Sequence, residues 1–377
     1  VKPDAAPPAF NARFRDVRPA AVVSCASPQD VAEAIGFARR RGLELATRAG
    51  GHSFAGHSST RGVLLDVTPM RSLTVAGGVA RVGAGARLGE VYDALQAHDL
   101  TIPGGTCPPV GVAGLTLGGG LGILGRKHGV TSDHLIGAEI VLADGARRAG
   151  REPEGHRRRR PRPAPGHGRV RRVPWAAGRC RPPGRGAGRP GGLGPQRGRP
   201  DAHVLAADPE VLGGAGNPAA ESGTPPVPEP PDAPCLYARS ELFAHPLPAQ
   251  AVDALLEAFV AGRTAGEERE LDFMPWGGAY NRRPPDATAF VHRDQLFQLK
   301  HAVVVDASAP PSSQAAAHRA ATRSWASVHP WGSGRVFQNF ADPDLEHWAD
   351  AYYGPNYDRL VRIKARYDPA DLFRFQP

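Results

Sequence analysis

The strongest constraint on this chain lies between Arg48 and Asp133, where glycine repeatedly stands beside a single reactive side chain. The stretch opens with Arg48-Ala49-Gly50-Gly51-His52-Ser53, continues through Gly104-Gly105-Thr106-Cys107-Pro108-Pro109-Val110-Gly111, and ends in Gly118-Gly119-Gly120-Leu121-Gly122. Lacking a Cβ, glycine lets backbone N–H groups close on a ligand, so one histidine and one cysteine can approach the same group. The pattern implies a large anionic cofactor held by main chain. Either residue alone would say little, because the chain has 14 His and an isolated cysteine is by default a small buried hydrophobe.

The two motifs, in this order and followed by Gly114-Leu115-Thr116-Leu117, resemble the flavin-linked oxidases of the berberine bridge enzyme-like group, within the wider vanillyl-alcohol oxidase fold. The resemblance runs from Phe10 to Gly145 and from Ala238 to Phe375. It implies an α+β chain with the two-domain PCMH-type FAD-binding fold and an antiparallel substrate-domain sheet backed by helices. It further implies that His52 is joined to the 8α-methyl of FAD and Cys107 to carbon 6 of the same ring. By the same resemblance Arg48, Ala49, Gly50, Gly51, Ser53, Gly105, Thr106, Val110, Gly111, Gly114, Leu115, Gly118, Gly119, Gly120, Gly122, Ile140 and Asn356 contact the cofactor. The chemistry is compatible, since a thiolate adds to an electron-poor ring and a neutral imidazole attacks an activated methyl group. Two bonds would hold the flavin without a deep pocket and raise its potential, leaving an open, carbohydrate-sized cleft.

A competing pattern sits inside the same stretch. Gly120-Leu121-Gly122-Ile123-Leu124-Gly125 spells the dinucleotide fingerprint, and Glu139 follows at the distance of a ribose-binding acid. That fingerprint needs a helix opening at its second glycine, but Arg126 to Asp133 is charged, glycine-broken and aperiodic. A flavin site is therefore expected instead of a Rossmann nicotinamide site.

Charge excludes less than it first suggests. The formal net charge is +9, yet Arg147 to Arg199 holds 17 Arg against Glu152 and Glu154, which leaves the remainder acidic. Basic charge confined to one stretch without aromatic interleaving does not read as a nucleic-acid surface. No apolar run approaches the ~20 residues that span a bilayer, so no membrane partner is expected. The four cysteines, Cys25, Cys107, Cys180 and Cys235, lack metal-ligand spacing.

Along the chain, Ala21 to Cys25 reads as a strand, Ser27 to Arg41 as a capped helix ended by Gly42, and Leu43 to Thr47 as the returning parallel strand. This β-α-β unit would deliver the histidine loop at a strand's C-terminal end. Short strands follow at Val63–Val67, Leu73–Val75 and Ala80–Gly85, then a helix over Leu88–Leu95, and a buried strand over Ile136–Gly145. The expected divisions are an FAD-binding domain at 1–146, an Arg/Pro/Gly-rich stretch at 147–234, a partial substrate domain at 235–343, and a return to the first domain at 344–377. The Arg-rich stretch is poor in apolar residues and reads as disordered, or as translated out of frame from a GC-rich gene. Helices are expected at Gln250–Ala261 and Gln314–Val328, and a strand at His301–Asp306.

The implied reaction is oxidation of an alcohol, sugar or glycoside hydroxyl, with dioxygen as acceptor and hydrogen peroxide as product. In relatives Val at the position of Val110 goes with dioxygen access. A dehydrogenase with another acceptor, or a catalytically impaired FAD- or sugar-binding homologue, remains open. Relatives often carry tyrosines in a Y-x-N-Y-x-D segment, which here reads Phe337-Gln338-Asn339-Phe340-Ala341-Asp342. Neither Phe can take a proton. Tyr280 is the first candidate base and His292 the second, with Asn339 and Asp342 as residues that position substrate.

Overall fold

A computed structural model of the protein describes residues 9–151 and 233–374. It begins with strand β1 (Ala21–Ser24), helix α1 (Pro28–Arg41) and strand β2 (Leu45–Arg48). The helix starts where expected because the Ser27 hydroxyl accepts from the Asp30 amide while the Asp30 carboxylate accepts from the Ser27 amide. It ends at Gly42, whose φ of +62° only glycine adopts without strain. Ala34, Ile35 and Ala38 pack onto Cys25, Leu45, Val63 and Leu65. Strand β3 (Val63–Asp66) lies between β1 and β2 and runs parallel to both. The chain leaves β2 directly into the Gly50-Gly51-His52 loop, at the carboxyl edge of a parallel sheet.

Strands β4 (Leu73–Ala76) and β5 (Val79–Val82) form a hairpin, and helix α2 (Leu88–Gln96) packs on it through Leu88, Val91 and Leu95. Helix α3 (Val112–Leu117) leads into the glycine tract, and α4 (Gly125–His128) is a single turn that starts after Gly122. The helix that a dinucleotide fingerprint would open is therefore not built there.

Two expectations fail at the next strands. Strand β6 (Gly137–Val141) is exposed, with Ile140 56% exposed, where a buried strand was expected. Its one strand partner among the described residues is β7 (Arg147–Arg151), and of its residues Val141 packs against the cluster under α1. Strand β7 itself falls inside the stretch expected to be Arg-rich and irregular. The turn at Gly145 returns the chain antiparallel, and Arg147 pairs with Glu139 across the hairpin, which gives that arginine a local partner. Residues 152–232, which include most of the expected disordered or frame-shifted stretch, lie outside the described residues.

The second half is built on strands β8 (Cys235–Phe243), β9 (Glu267–Pro275) and β10 (Phe297–Val305) in the order β8-β10-β9, antiparallel throughout. Helices α5 (Ala249–Val260) and α6 (Pro311–Ala326) cover one face. Leu255 packs with Phe243 and Leu299, and Ala317, Ala320 and Ala321 pack with Tyr237, Val303 and Val305. Alternate residues of each strand therefore point away from the helices. Helices α7 (Trp348–Tyr353) and α8 (Tyr357–Tyr367) follow, and Leu372 and Phe373 then pack against the Ile35 cluster of the first domain.

The halves share a core. Leu121 and Val130 from the first domain pack with Leu242, Trp276, Tyr280, Phe290 and Phe337 from the second. Beside it the Arg293 guanidinium donates to both carboxylate oxygens of Asp133 at 2.9 and 2.7 Å, and Arg283 donates to the Asp133 carbonyl at 2.7 Å. This buried pair ties the loop before β10 to the turn that follows Val130.

Candidate active site

Arg48 closes β2 with its guanidinium turned into the following loop, donating to the Ser58 carbonyl and the Ser59 hydroxyl, each at 2.9 Å. The Ser53 hydroxyl accepts from the His57 amide at 3.0 Å. These bonds give Arg48 and Ser53 a loop-shaping role around His52. The His52 ring stacks on Phe10 with centroids 3.7 Å apart, and its Nε2 is buried without a hydrogen-bond partner. Burial pulls its pKa down to about 4, so the imidazole is neutral at pH 7. An orphaned nitrogen on a neutral imidazole suits a ring that is to form a covalent bond.

The cysteine loop is held by the first turn of α2. The Leu88 amide donates to the Val110 carbonyl at 2.9 Å, the Gly89 amide to the Pro108 carbonyl at 3.0 Å, and the Tyr92 hydroxyl to the Gly105 carbonyl at 2.6 Å. Cys107 stands half-buried in this turn, between exposed Thr106 and half-buried Pro108. Val110 and Leu115 pack into the α2 cluster.

The two loops meet backbone to backbone. A Cβ on Gly50 would lie 2.3 Å from the Gly111 amide nitrogen, and a Cβ on Gly111 would lie 2.7 Å from the Gly50 nitrogen and 2.9 Å from the Ala49 Cβ. Only glycine fits on either side, and the contact brings the histidine and cysteine motifs together.

The tract beyond them is equally tight. Gly119 and Gly120 have φ of +102° and +83°, and a Cβ would strike the Phe290 ring at 2.5 Å or the Thr131 hydroxyl at 2.2 Å. A Cβ on Gly118 would collide with the Asn339 side chain, whose Nδ2 donates to the Leu115 carbonyl at 2.9 Å. A Cβ on Gly114 would meet nothing, so that side of α3 is open to a bound group. The neutral His52 and the exposed Gly114 fit a bound FAD.

The candidate bases are placed less favourably. Tyr280 stacks on Trp276 at 4.7 Å and its hydroxyl donates to the Gly122 carbonyl at 2.8 Å. Burial pushes its pKa up to about 12, which is the setting of a packed aromatic and not of a proton acceptor. His292 is wholly buried beside the Val336 and Gln338 region, with its pKa down to about 3 because burial disfavours the imidazolium. The Asp342 carboxylate is committed to Arg239 at 2.7 Å, and Arg239 in turn lies 3.9 Å over the Trp325 ring on the helix side of the sheet. Asn356 is buried with its amide donating to the Pro285 and Thr288 carbonyls, which ties the closing segment to the second domain. Of the four catalytic candidates, Asn339 and Tyr280 touch the glycine tract, Asn339 at Gly118 and Tyr280 at the Gly122 carbonyl.

Other residues at the site had no motif to announce them. Phe10 lies far from His52 in sequence, and only folding stacks the rings. Gln298 and Lys300 were legible in principle as polar residues two apart in an otherwise apolar strand, the spacing that puts both on one face.

Residues 19–149 match the family described as FAD binding domain, and residues 336–377 match berberine and berberine like. Berberine bridge enzyme-like 18 of Arabidopsis thaliana is 39% identical over 145 residues, covering 36% of this chain and 27% of that protein. Glucooligosaccharide oxidase of Sarocladium strictum is 40% identical over 141 residues, covering 36% of this chain and 28% of its own. The chain thus spans about a quarter of the length of these curated relatives. The solved structure of wild-type BBE-like 1 from Physcomitrella patens superposes with a TM-score of 0.72 at 23% identity, covering 98% of this chain and 93% of that one. The fold is that of the PCMH-type FAD oxidases, and the resemblance read from the two motifs holds.

Proposed function

We propose that this relative of the berberine bridge enzyme-like FAD-linked oxidases binds FAD through both His52 and Cys107 and oxidises a hydroxyl group of an alcohol, sugar or glycoside, with dioxygen as acceptor. The observation that carries the reading is the Gly50–Gly111 contact, which sets the two tethering motifs side by side. Neutral His52, with an unpartnered Nε2, supports its part in the attachment. FAD, when bound, supplies a two-electron acceptor for the hydride of the substrate carbon. The chain's own residues orient the substrate, exclude water, and receive the hydroxyl proton. Phe54 and Phe340, with ring centroids 5.0 Å apart, form an apolar wall beside the His52 loop. The Sarocladium relative carries the name of an oligosaccharide oxidase, which supports a carbohydrate as substrate class.

Colour retention tests the attachment. Acid-precipitated protein should stay yellow, His52→Ala and Cys107→Ala should each stay yellow through the remaining bond, and the double variant should release its flavin. A colourless wild-type pellet would sink the bicovalent reading. Flavin bleaching by a sugar under nitrogen, followed by peroxide on admitting air, identifies an oxidase. Bleaching without peroxide identifies a dehydrogenase. Phe337 and Phe340 favour one further reading, an impaired homologue, which would show no bleaching at all.

A further inference from the structure

We infer that Asp272, held by Lys300 on the helix-free face of the substrate sheet, receives the hydroxyl proton in this chain, and that the row it belongs to selects neutral, polyhydroxylated substrates. The inference rests on the FAD reading above.

The strand register builds the row. In β10, Leu299, His301 and Val303 face the helices, as their contacts with Leu255, Ser324 and Ala320 show, so Gln298 and Lys300 face the other way. That other face meets the first domain, because Leu242 of β8 packs there with Leu121 of the glycine tract. Lys300 lies opposite Ser240 of β8 on one side and Asp272 of β9 on the other. Its ammonium is 3.2 Å from the Asp272 carboxylate and 3.1 Å from that of Glu270.

Position relates the row to the cofactor motifs. The Lys300 ammonium lies 5.3 Å over the Phe340 ring, and Phe340 lies 5.0 Å from Phe54, in the loop that carries His52. Asn339, adjacent in sequence to Phe340, donates to the Leu115 carbonyl. One aromatic ring separates the charged row from the histidine loop. The lysine is 15% exposed and Asp272 36%, so the row borders solvent and can be reached by a substrate.

Chemistry then narrows the choice. The two phenylalanines of the Phe337–Asp342 segment cannot accept a proton. Tyr280 spends its hydroxyl on Gly122, His292 is sealed in the core, and Asp342 is bound to Arg239. Asp272 combines a carboxylate, partial exposure and an ion pair with Lys300, the residue that lies over Phe340. Burial works against charge on Lys300, but Glu270 and Asp272 outweigh it and hold the ammonium in place. Two carboxylates against one ammonium leave a net charge of −1, which repels acidic substrates. Ser240 Oγ and both amide atoms of Gln298 are buried on the same face without hydrogen-bond partners, so they are available to neighbouring hydroxyls. In the reaction the substrate O–H bond breaks and its proton passes to Asp272. With FAD bound as acceptor, the carbon–oxygen double bond would form as the C–H electron pair left as hydride, which is the two-electron oxidation of the carbinol carbon. Asp272 is the catalytic residue and Lys300 a positioning residue.

The test uses holoprotein with cellobiose, chitobiose and methyl glucoside as probes. Asp272→Ala should slow anaerobic flavin reduction by about 10²- to 10⁴-fold, while flavin content and cellobiose contacts in saturation-transfer NMR persist. Added formate should restore part of the rate, which a merely structural loss would not permit. Lys300→Met should weaken cellobiose saturation transfer and raise KM more than it lowers kcat, and Lys300→Arg should recover most of both. Unchanged flavin reduction in Asp272→Ala, or a slow variant that formate fails to restore, overturns the assignment of the base. A yellow acid pellet whose flavin none of the three sugars reduces overturns the substrate class while leaving the attachment reading standing. A colourless pellet overturns the attachment itself.

Discussion

Gly50 and Gly111 touch through their backbones, and each would drive a Cβ into the other's chain at 2.3 or 2.7 Å. This contact sets the geometry of the two motif loops, because neither loop can shift without moving the other. Gly111→Ala is therefore expected to cost on the order of 1–3 kcal/mol or more through overpacking, and to lower flavin incorporation together with Tm. Thermal melts and the ratio of flavin to protein absorbance check it. A variant with full flavin content and native Tm would remove this contact from the argument.

The buried Asp133–Arg293 pair joins the two halves, with side chains 4% and 1% exposed. Removing one partner leaves a buried charge uncompensated, so Asp133→Ala should destabilise by about 3–5 kcal/mol. Replacing both residues with apolar ones should cost far less than either single change. Urea denaturation of the two single variants and the double variant measures the difference.

Tyr280→Phe removes a hydroxyl whose described role is to donate to the Gly122 carbonyl. A stability loss of about 1 kcal/mol is expected from the lost hydrogen bond, with flavin reduction within about twofold of wild type. A thousandfold loss of rate with intact flavin content would restore Tyr280 as the base.

Three buried histidines, His52, His292 and His301, have folded-state pKa values pulled by burial to about 4, 3 and 3. The unfolded chain binds protons on each near pH 6.5, so between pH 6.5 and those lower values it holds more protons than the folded chain. Stability must then fall as pH drops through that window and be unaffected by these groups above it. Chemical denaturation of flavin-free protein at pH 7.5, 6 and 5 should show the midpoint dropping. His301→Gln should flatten part of the drop.

The primary structure by itself settled whatever depends on neighbours along the chain. Ser27, Asp30 and Gly42 set the limits of α1 because caps and positive φ act within a few residues. The glycine motifs announced a backbone-lined cofactor path for the same reason. The Phe337 and Phe340 side chains by themselves remove the familiar base. Tertiary structure decided whatever depends on partners far apart in sequence. Ile140 looked buried because its strand is apolar, yet exposure is set by what packs above it, and the core under α1 covers Val141 while leaving Ile140 56% exposed. Tyr280 looked reactive until the Gly122 carbonyl, from the other domain, claimed its hydroxyl. Lys300 drew no attention until three antiparallel strands put Ser240 and Asp272 on either side of it. Pairing register is a long-range choice made by the burial of whole faces, and one strand read alone does not contain it.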